Sequence, residues 1–369
     1  MWYRFQCALP RAHAYHAARL CVASRVPVTG RSVLAAALAY GLVAQPVAGQ
    51  ASSPAGKASA VLRGVAVDSA GAPLAYATVR VEALGRDALT DARGHFVFGG
   101  VPVGRHAVMV RQVGFSPARR VLEAAAGESA AVRDTVRLVR LVVRLAEVEV
   151  RPDQPCHAGG IVATDSATAG PLFTQLRLNA ERLRLVAAGG PEVRRYARVR
   201  EYVGANGAVV ASRADTLLVR PAALQPYAPG RAAYRVGRRE WNLAMPTPDI
   251  VADAAFERSH CLRYAGPDTV GGRDAHRIEF AAVEGVGGPD VAGALWLDAA
   301  TFELRRASFR LVNAPAAELP ETEIDTRYGT ASDGRPVYIA TTLRYRQPKS
   351  ARVDDRAYVR IVEQTHIIP

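Results

Sequence analysis

Between Thr90 and Pro117 the chain reads TDARGHFVFGGVPVGRHAVMVRQVGFSP, five glycines and two prolines set among short runs that alternate apolar and polar residues. Glycine and proline each weaken a helix interior, and strict alternation has the period of a strand, so this stretch has to fold as β-structure. The rhythm continues from residue 61 to residue 150, predicting strands over 62–68, 77–83, 95–98, 105–112, 119–123 and 134–150. Turns are expected at Ser69-Ala70-Gly71, at Asp91-Ala92-Arg93-Gly94 and at Gly99-Gly100. At the second of these, Asp91 is expected to bond its own backbone two residues on while Gly94 supplies a positive φ. Gly99, Gly100, Pro102 and Gly104 are expected to break the pairing before alternation resumes at His106. No helix follows these glycines and no Lys-Ser or Lys-Thr pair accompanies them, so they shape corners and do not cradle a phosphate. Strands this short, spaced this evenly, specify a small β-sandwich.

The 369 residues carry a formal net charge of +13. Such a balance raises nucleic acid as a partner, but the arginines are spread along the chain, Lys57 and Lys349 are its lysines, and no recognition-helix, zinc-finger or ribonucleoprotein pattern accompanies them. Nucleic-acid binding is therefore not expected. Residues 1–50 hold arginines and neither Asp nor Glu, ending in RSVLAAALAYGLVAQPVAGQ. Arg31 reads as the basic region, 33–44 as the apolar region and Val47-Ala48-Gly49 as the cleavage site of a secretory signal. Residues 1–49 are accordingly expected to be a presequence with a signal peptide and 50–60 a small-residue linker. The apolar run is too short to span a bilayer, so no membrane span is expected after cleavage.

The segments GVAVDSAGAPLAYATVRVEA and LTDARGHFVFGGVPVGRHAVMVRQVGFSP resemble the carboxypeptidase regulatory-like domain, through Gly64, Asp68, Gly71, Pro73, Leu74, Thr90, Asp91, Gly94, Phe96, Gly104 and Gly114-Phe115. The resemblance implies a transthyretin-type, carbohydrate-binding-like sandwich over 61–150 that is an accessory module without catalytic residues. It also implies a possible outer-membrane protein partner, because this module fronts TonB-dependent receptors, followed there by a segment similar to LAEVEVRPD at 145–153. The residues after Asp153 are too few for a plug and a transporter barrel of about 22 strands.

Residues 151–369 read as an α+β domain with a curved antiparallel sheet and one or two helices. Leu172, Leu176, Leu178, Leu183 and Val186 predict a helix over 171–186, and a second is expected over 248–258. Strands are expected over 193–203 and 208–219, joined at Asn206-Gly207, with five or six more after the second helix. Here GRDAHRIEFAAVEG, GALWLDAATFELRRASF and YGTASDGRPVYIATTLRYR resemble the half-barrel of outer-membrane lipoprotein carrier and sorting proteins, which implies a curved sheet and helices around an apolar ligand.

If the presequence is removed, the cysteines that remain are Cys156 and Cys261. An even count in an oxidising compartment favours a disulfide, with a zinc site at Cys156-His157 and His260-Cys261, or two free thiols, as alternatives. Adjacent residues on an extended chain point to opposite sides, which weighs against zinc. His276 and Glu279 have the H-x-x-E spacing of zinc carboxypeptidases, but as strand residues they face opposite ways. No nucleophile elbow, Walker loop or dinucleotide fingerprint is present. No catalytic residue, cofactor or metal site is expected. Tyr227, Tyr234, Trp241 and Tyr264 are candidates for a sugar-stacking platform, against burial in the core as the commoner use of aromatics. The expectation is an exported, non-catalytic protein, periplasmic, outer-membrane-associated or secreted, that binds a glycan, peptide or lipidic envelope component. The alternative is a secreted hydrolase or an accessory subunit of an outer-membrane receptor system.

Overall fold

The computed structural model describes residues 2–5, 59–124, 134–143, 156–189, 194–219, 227–237, 240–315, 319, 321–346 and 360–368, all within one compact unit. The expected signal segment, the expected linker up to residue 58 and all of 145–153 lie outside these residues, and the last two linker residues open the first strand of the sandwich. Trp2–Phe5 forms β1, which pairs antiparallel with 241–244.

The sandwich is built from β2 (Ser59–Asp68), β3 (Thr78–Val81), β4 (Arg86–Leu89), β5 (His95–Pro102), β6 (Gly104–Arg111), β7 (Ala118–Ala124) and β8 (Thr135–Leu138). One sheet has the order β5-β2-β8 and the other β4-β3-β6-β7. Between them Leu62, Ala66, Val79, Phe96, Phe98, Val108, Val110 and Val136 form a core. At the Asp91 turn, Asp91 Oδ1 accepts from the amides of Arg93 and His95, both at 2.8 Å. Gly94 there has φ 78°.

Two expectations fail in this half. No turn forms at Gly99-Gly100: β5 runs through both to Pro102, its pairing with β2 skipping the two glycines and resuming at Val101 and Pro102, opposite Ala60 and Ser59. The register shifts between Ala60 and Leu62, opposite Gly100 with its φ of 68°, so the glycines make a bulge where a turn was expected. The last strand is short, ending at Leu138, and β4 was not foreseen, because RDAL has no apolar alternation.

The second half holds β9 (Gly160–Ile161), α1 (Ala163–Ala188), β10 (Arg194–Val203), β11 (Val209–Val219), β12 (Ala233–Gly237), β13 (Glu240–Ala244), α2 (Ala254–Ser259), β14 (His260–Val270), β15 (Arg273–Ala282), β16 (Asp290–Asp298), β17 (Leu304–Val312), β18 (Thr322–Thr330), β19 (Pro336–Tyr345) and β20 (Arg360–Ile368). Ten strands make one sheet in the order β11-β10-β20-β19-β18-β17-β16-β15-β14-β9, antiparallel except for the β14–β9 pair. Leu172, Phe173 and Leu176 of α1 close its core against Ile278, Leu295, Phe309, Ile324 and Leu343. The helix starts eight residues before the expected Pro171 and carries that proline inside, at the cost of one backbone bond. Its first turns, ATDSATAG, lack apolar spacing and so left no periodic signal. The second expected helix is a 3₁₀ turn, Pro248–Ala252, followed by α2, because Asp253 is extended and caps α2 by accepting from the Ala255 amide at 2.7 Å.

A buried polar stripe on α1 joins the halves. Gln175 Oε1 accepts from the Gly114 amide at 2.7 Å. Asn179 Nδ2 donates to Phe302 O at 2.8 Å, and its Oδ1 accepts from the Leu304 amide at 2.8 Å. Arg182 Nη2 donates to Gly334 O at 2.8 Å. Around this stripe Arg111 pairs with Glu181 at 2.7 Å, and Tyr76 Oη donates to Asp333 Oδ2 at 3.0 Å. In the β6–β7 loop Val113 enters the large core while Phe115 enters the sandwich core. Gly114 between them has φ 80°, and a Cβ there would lie 2.7 Å from Thr301 O.

Two stability measurements follow. Gly94→Val forces a β-branched residue to positive φ and sets its Cβ 2.5 Å from Ala66 O, so urea unfolding should show a loss of about 1–3 kcal/mol or more. Gln175→Leu keeps the volume but strands the buried Gly114 amide, and should cost about 1–3 kcal/mol. A loss below about 0.5 kcal/mol, typical of an unimportant surface change, would show that this bond does not hold the halves together.

Candidate functional site

Strand alternation places Tyr196, Arg198, Arg200 and Tyr202 of β10 on one face. Their register partners fix which face it is: Arg200 lies opposite Glu363, which lies opposite Leu343, which lies opposite Ile324. Leu343 and Ile324 belong to the large core, so a row of charges stands on the core-facing side of the sheet. Arg198 Nε donates to Asp215 Oδ1 at 2.8 Å, and its Nη2 pairs with the other carboxylate oxygen. Arg200 Nε donates to Glu363 Oε1 at 2.5 Å. Glu363 is buried, its side chain 2% exposed, while Arg198 and Arg200 remain 18% and 29% exposed and so form the accessible rim. Glu363 Oε2 and the Thr365 hydroxyl beside it are buried without a hydrogen-bond partner. The row continues through Thr341 and Thr326, whose hydroxyls meet at 2.8 Å. Tyr196 meets Tyr338 edge to face at 6.2 Å, and Tyr338 Oη donates to Thr365 O at 2.9 Å.

The electrostatics follow from these pairs. The hydrogen bond from Arg198 holds the Asp215 carboxyl below its ordinary value, and the same bond raises the Arg198 guanidinium. Burial acts to lower the pKa of Arg200, but the Glu363 charge outweighs it and raises it. Burial pushes the Tyr338 phenol up to about 12. Arg198 and Arg200 each have a carboxylate, while Arg213 of β11, directly opposite Arg200, adds a further cation at the edge of the row.

A second polar cluster has the composition of a catalytic triad without its access. His260 and Asp290 are fully buried, with His260 Nε2 3.4 Å from Asp290 Oδ1 and Nδ1 3.0 Å from Ser259 Oγ. Ser259 Oγ donates to Ala255 O at 2.9 Å, which spends its proton on the helix backbone, and His260 stacks on Phe256 with centroids 4.0 Å apart. Tyr227 Oη donates to the same Asp290 oxygen. Burial acts to raise the Asp290 pKa, but bonds from His260, Tyr227 and the Gly230 amide outweigh it and hold the carboxyl below its ordinary value.

The proposed aromatic platform is not assembled. Tyr227 and Tyr264 are buried in the large core and Trp241 packs against its edge, with Arg235 over its ring at 5.2 Å. Tyr234 is half-buried on β12, 3.4 Å by its Oη from Asn242 Nδ2. Each of Tyr227 and Tyr264 has a partner for its hydroxyl, the buried Asp290 and the half-buried His276, so burial satisfies both the ring and its polar tip. His276 stacks on Phe302 towards the core, whereas Glu279 pairs with Arg263 and Arg277 on the other side of β15. Cys156 and Cys261 form a disulfide with Cα atoms 5.7 Å apart. Their neighbours diverge, His157 contacting Glu284 at 3.0 Å on the surface while His260 is buried. Among the described residues no three His, Cys, Asp or Glu side chains gather in a metal-binding group. A cavity beside Arg182, Glu303 and Tyr328 has a volume of about 10 Å³, room for one water.

The row on β10 and β20 was missed. Its signal is present, since YARVREY and IVEQT each place polar or aromatic residues at alternate positions, but an alternating polar file reads as a solvent face until the register is known.

Residues 61–139 match the carboxypeptidase regulatory-like domain, so the N-terminal sandwich is that module. No curated protein matches the chain in sequence. Among solved structures it is similar to a putative outer membrane lipoprotein-sorting protein domain from Vibrio parahaemolyticus, at 9% identity, 48% coverage of this chain and 83% of the other, with a TM-score of 0.26. A DUF1329 family protein from Desulfovibrio piger is 11% identical, covering 53% and 91%, with a TM-score of 0.28. A LolA superfamily protein from Nitrosomonas europaea is 12% identical, covering 53% and 91%, with a TM-score of 0.25. Likeness at these TM-scores carries nothing about a ligand. Among the described residues no helix is long and apolar enough to cross a membrane.

The Asp290 cluster generates a pH prediction. A carboxyl whose pKa is depressed in the fold stabilises above its unfolded pKa of about 3.9 and loses that contribution as pH falls through the folded value. Asp290→Asn should therefore be less stable than the parent at neutral pH, with the difference narrowing below about pH 4. Urea midpoints across pH 3–7 measure it, and a constant difference would contradict the assignment.

Proposed function

We propose that this chain is an exported, non-catalytic binding protein of the cell envelope, and that its ligand is a neutral, hydroxyl-rich molecule of the glycan class held on the row of β10, β20 and β19. The observation that carries this reading is the pair of buried oxygens that make no hydrogen bond, Glu363 Oε2, whose ion-pair contact is Arg198 Nη1 at 4.0 Å, and Thr365 Oγ1, beside an ion-paired rim. A carboxylate oxygen accepts and a threonine hydroxyl both donates and accepts, so adjacent hydroxyls of a sugar answer both. Arg198 and Arg200 already have Asp215 and Glu363 as counter-charges, which reduces their pull on an anion. An acyl chain would cover these charges without returning any hydrogen bond, which disfavours a lipid. Tyr196 and Tyr338 add aromatic surface at one end. Export is supported by the apolar run before Val47-Ala48-Gly49 and by the Cys156–Cys261 disulfide, and the accessory sandwich suits a binding role. Ser259 Oγ donates its proton to Ala255 O instead of being held by His260 as a nucleophile, which supports a non-catalytic role.

Titration calorimetry with malto-, cello- and chito-oligosaccharides tests the reading. Saturable binding to at least one of them is expected, weakened about tenfold by Thr365→Val, the equivalent of one lost hydrogen bond of about 1.4 kcal/mol. The same substitution removes an unsatisfied buried hydroxyl and should leave stability unchanged or raised, which separates a lost ligand contact from a damaged fold. No binding to any of the three, or binding that Thr365→Val leaves intact, would contradict it.

A further inference from the structure

β11 ends the ten-stranded sheet, paired along one side with β10 and, among the described residues, with no strand on the other. Eleven residues make a long edge, and a row of free backbone donors and acceptors is a template for another strand. The edge is apolar at both ends: Val209, Val210 and Leu218 are 52%, 43% and 73% exposed. The bulge opposite Tyr202 and Val203 distorts only the hairpin end and leaves 211–219 in regular register.

The occupant is indicated by the sequence of the strand itself, VVASRADTLLV. An antiparallel copy laid across a two-fold axis at Ala214 sets Arg213 opposite Asp215 of the second copy, Ser212 opposite Thr216, Ala211 opposite Leu217, and Val210 opposite Leu218. Opposite charges meet, small polar residues meet, and the exposed apolar residues cover one another. Within one chain the arrangement is less favourable, because Arg213 stands directly opposite Arg200 on β10, a like-charge cross-strand pair. A carboxylate from a second copy relieves that repulsion. We propose that two copies of this chain dimerise by antiparallel pairing of β11 with β11, continuing the ten-stranded sheet across a two-fold axis.

Sedimentation velocity on the full chain over a concentration series measures this. The parent should sediment as a dimer at micromolar concentration. Leu218→Lys, at a position 73% exposed in the single chain, should raise the dissociation constant at least tenfold. Arg213→Asp is the discriminating variant: it replaces the repulsion with Arg200 by an attraction, so thermal stability should be kept or raised, while the charge match across the axis is lost and the dimer should dissociate. A parent that is monomeric at 100 µM, or two variants that dimerise as the parent does, would overturn the proposal.

Discussion

The structure depends on a line of three buried polar side chains, Gln175, Asn179 and Arg182, on one face of α1. Burying them costs their hydration, and each recovers part of it on a backbone group of a different loop, although Arg182 Nε is left without a hydrogen bond. Gln175 takes the sandwich loop at Gly114, Asn179 the β16–β17 turn at Phe302 and Leu304, and Arg182 the β18–β19 turn at Gly334. Hydrogen bonds are directional where apolar contacts are not, so the stripe fixes how the sandwich, helix and sheet meet. Val113 and Phe115, on either side of Gly114, then reach two different cores from one loop.

That arrangement divides the chemistry of the large sheet. Where α1 lies, the core-facing side is Ile278, Leu295, Phe309 and Leu343. Towards β20, β10 and β11 the same side becomes Glu363, Arg200, Arg198 and Asp215. Charges on that side are costly unless paired, and here they pair across strands. The opposite side is also laced with ions, Trp296 lying between Arg306 and Arg277 with its indole N–H on Asp268. Buried atoms without a hydrogen bond remain on both sides, Arg277 Nε on this one and Glu363 Oε2 and Thr365 Oγ1 on the core-facing one, where the two oxygens belong to neighbouring residues of one file.

The features legible in the sequence are local ones. Asp91 and Gly94 announce their turn, Asn206-Gly207 its hairpin, and the regulatory-like sandwich its spaced glycines, because each is decided within a few residues. What was not legible depends on distant partners. Gly99-Gly100 stays in a strand because Ala60 and Ser59 take up the pairing again just beyond it, at Val101 and Pro102. Arg200 and Glu363 are 163 residues apart in sequence, so nothing local distinguishes their ion pair from two solvated charges. Tyr227 and Tyr264 are buried because Asp290 and His276 receive their hydroxyls, and those partners too come from other strands.

The central claim is that the core-facing row of β10 and β20 holds the natural ligand. Native mass spectrometry of the protein taken from its own envelope fraction, with the parent and Thr365→Val purified side by side, tests it most directly. The account predicts an adduct with the mass of a neutral glycan on the parent, reduced or absent on the variant. An adduct equally abundant on both, or one with the mass of a lipid, would contradict it.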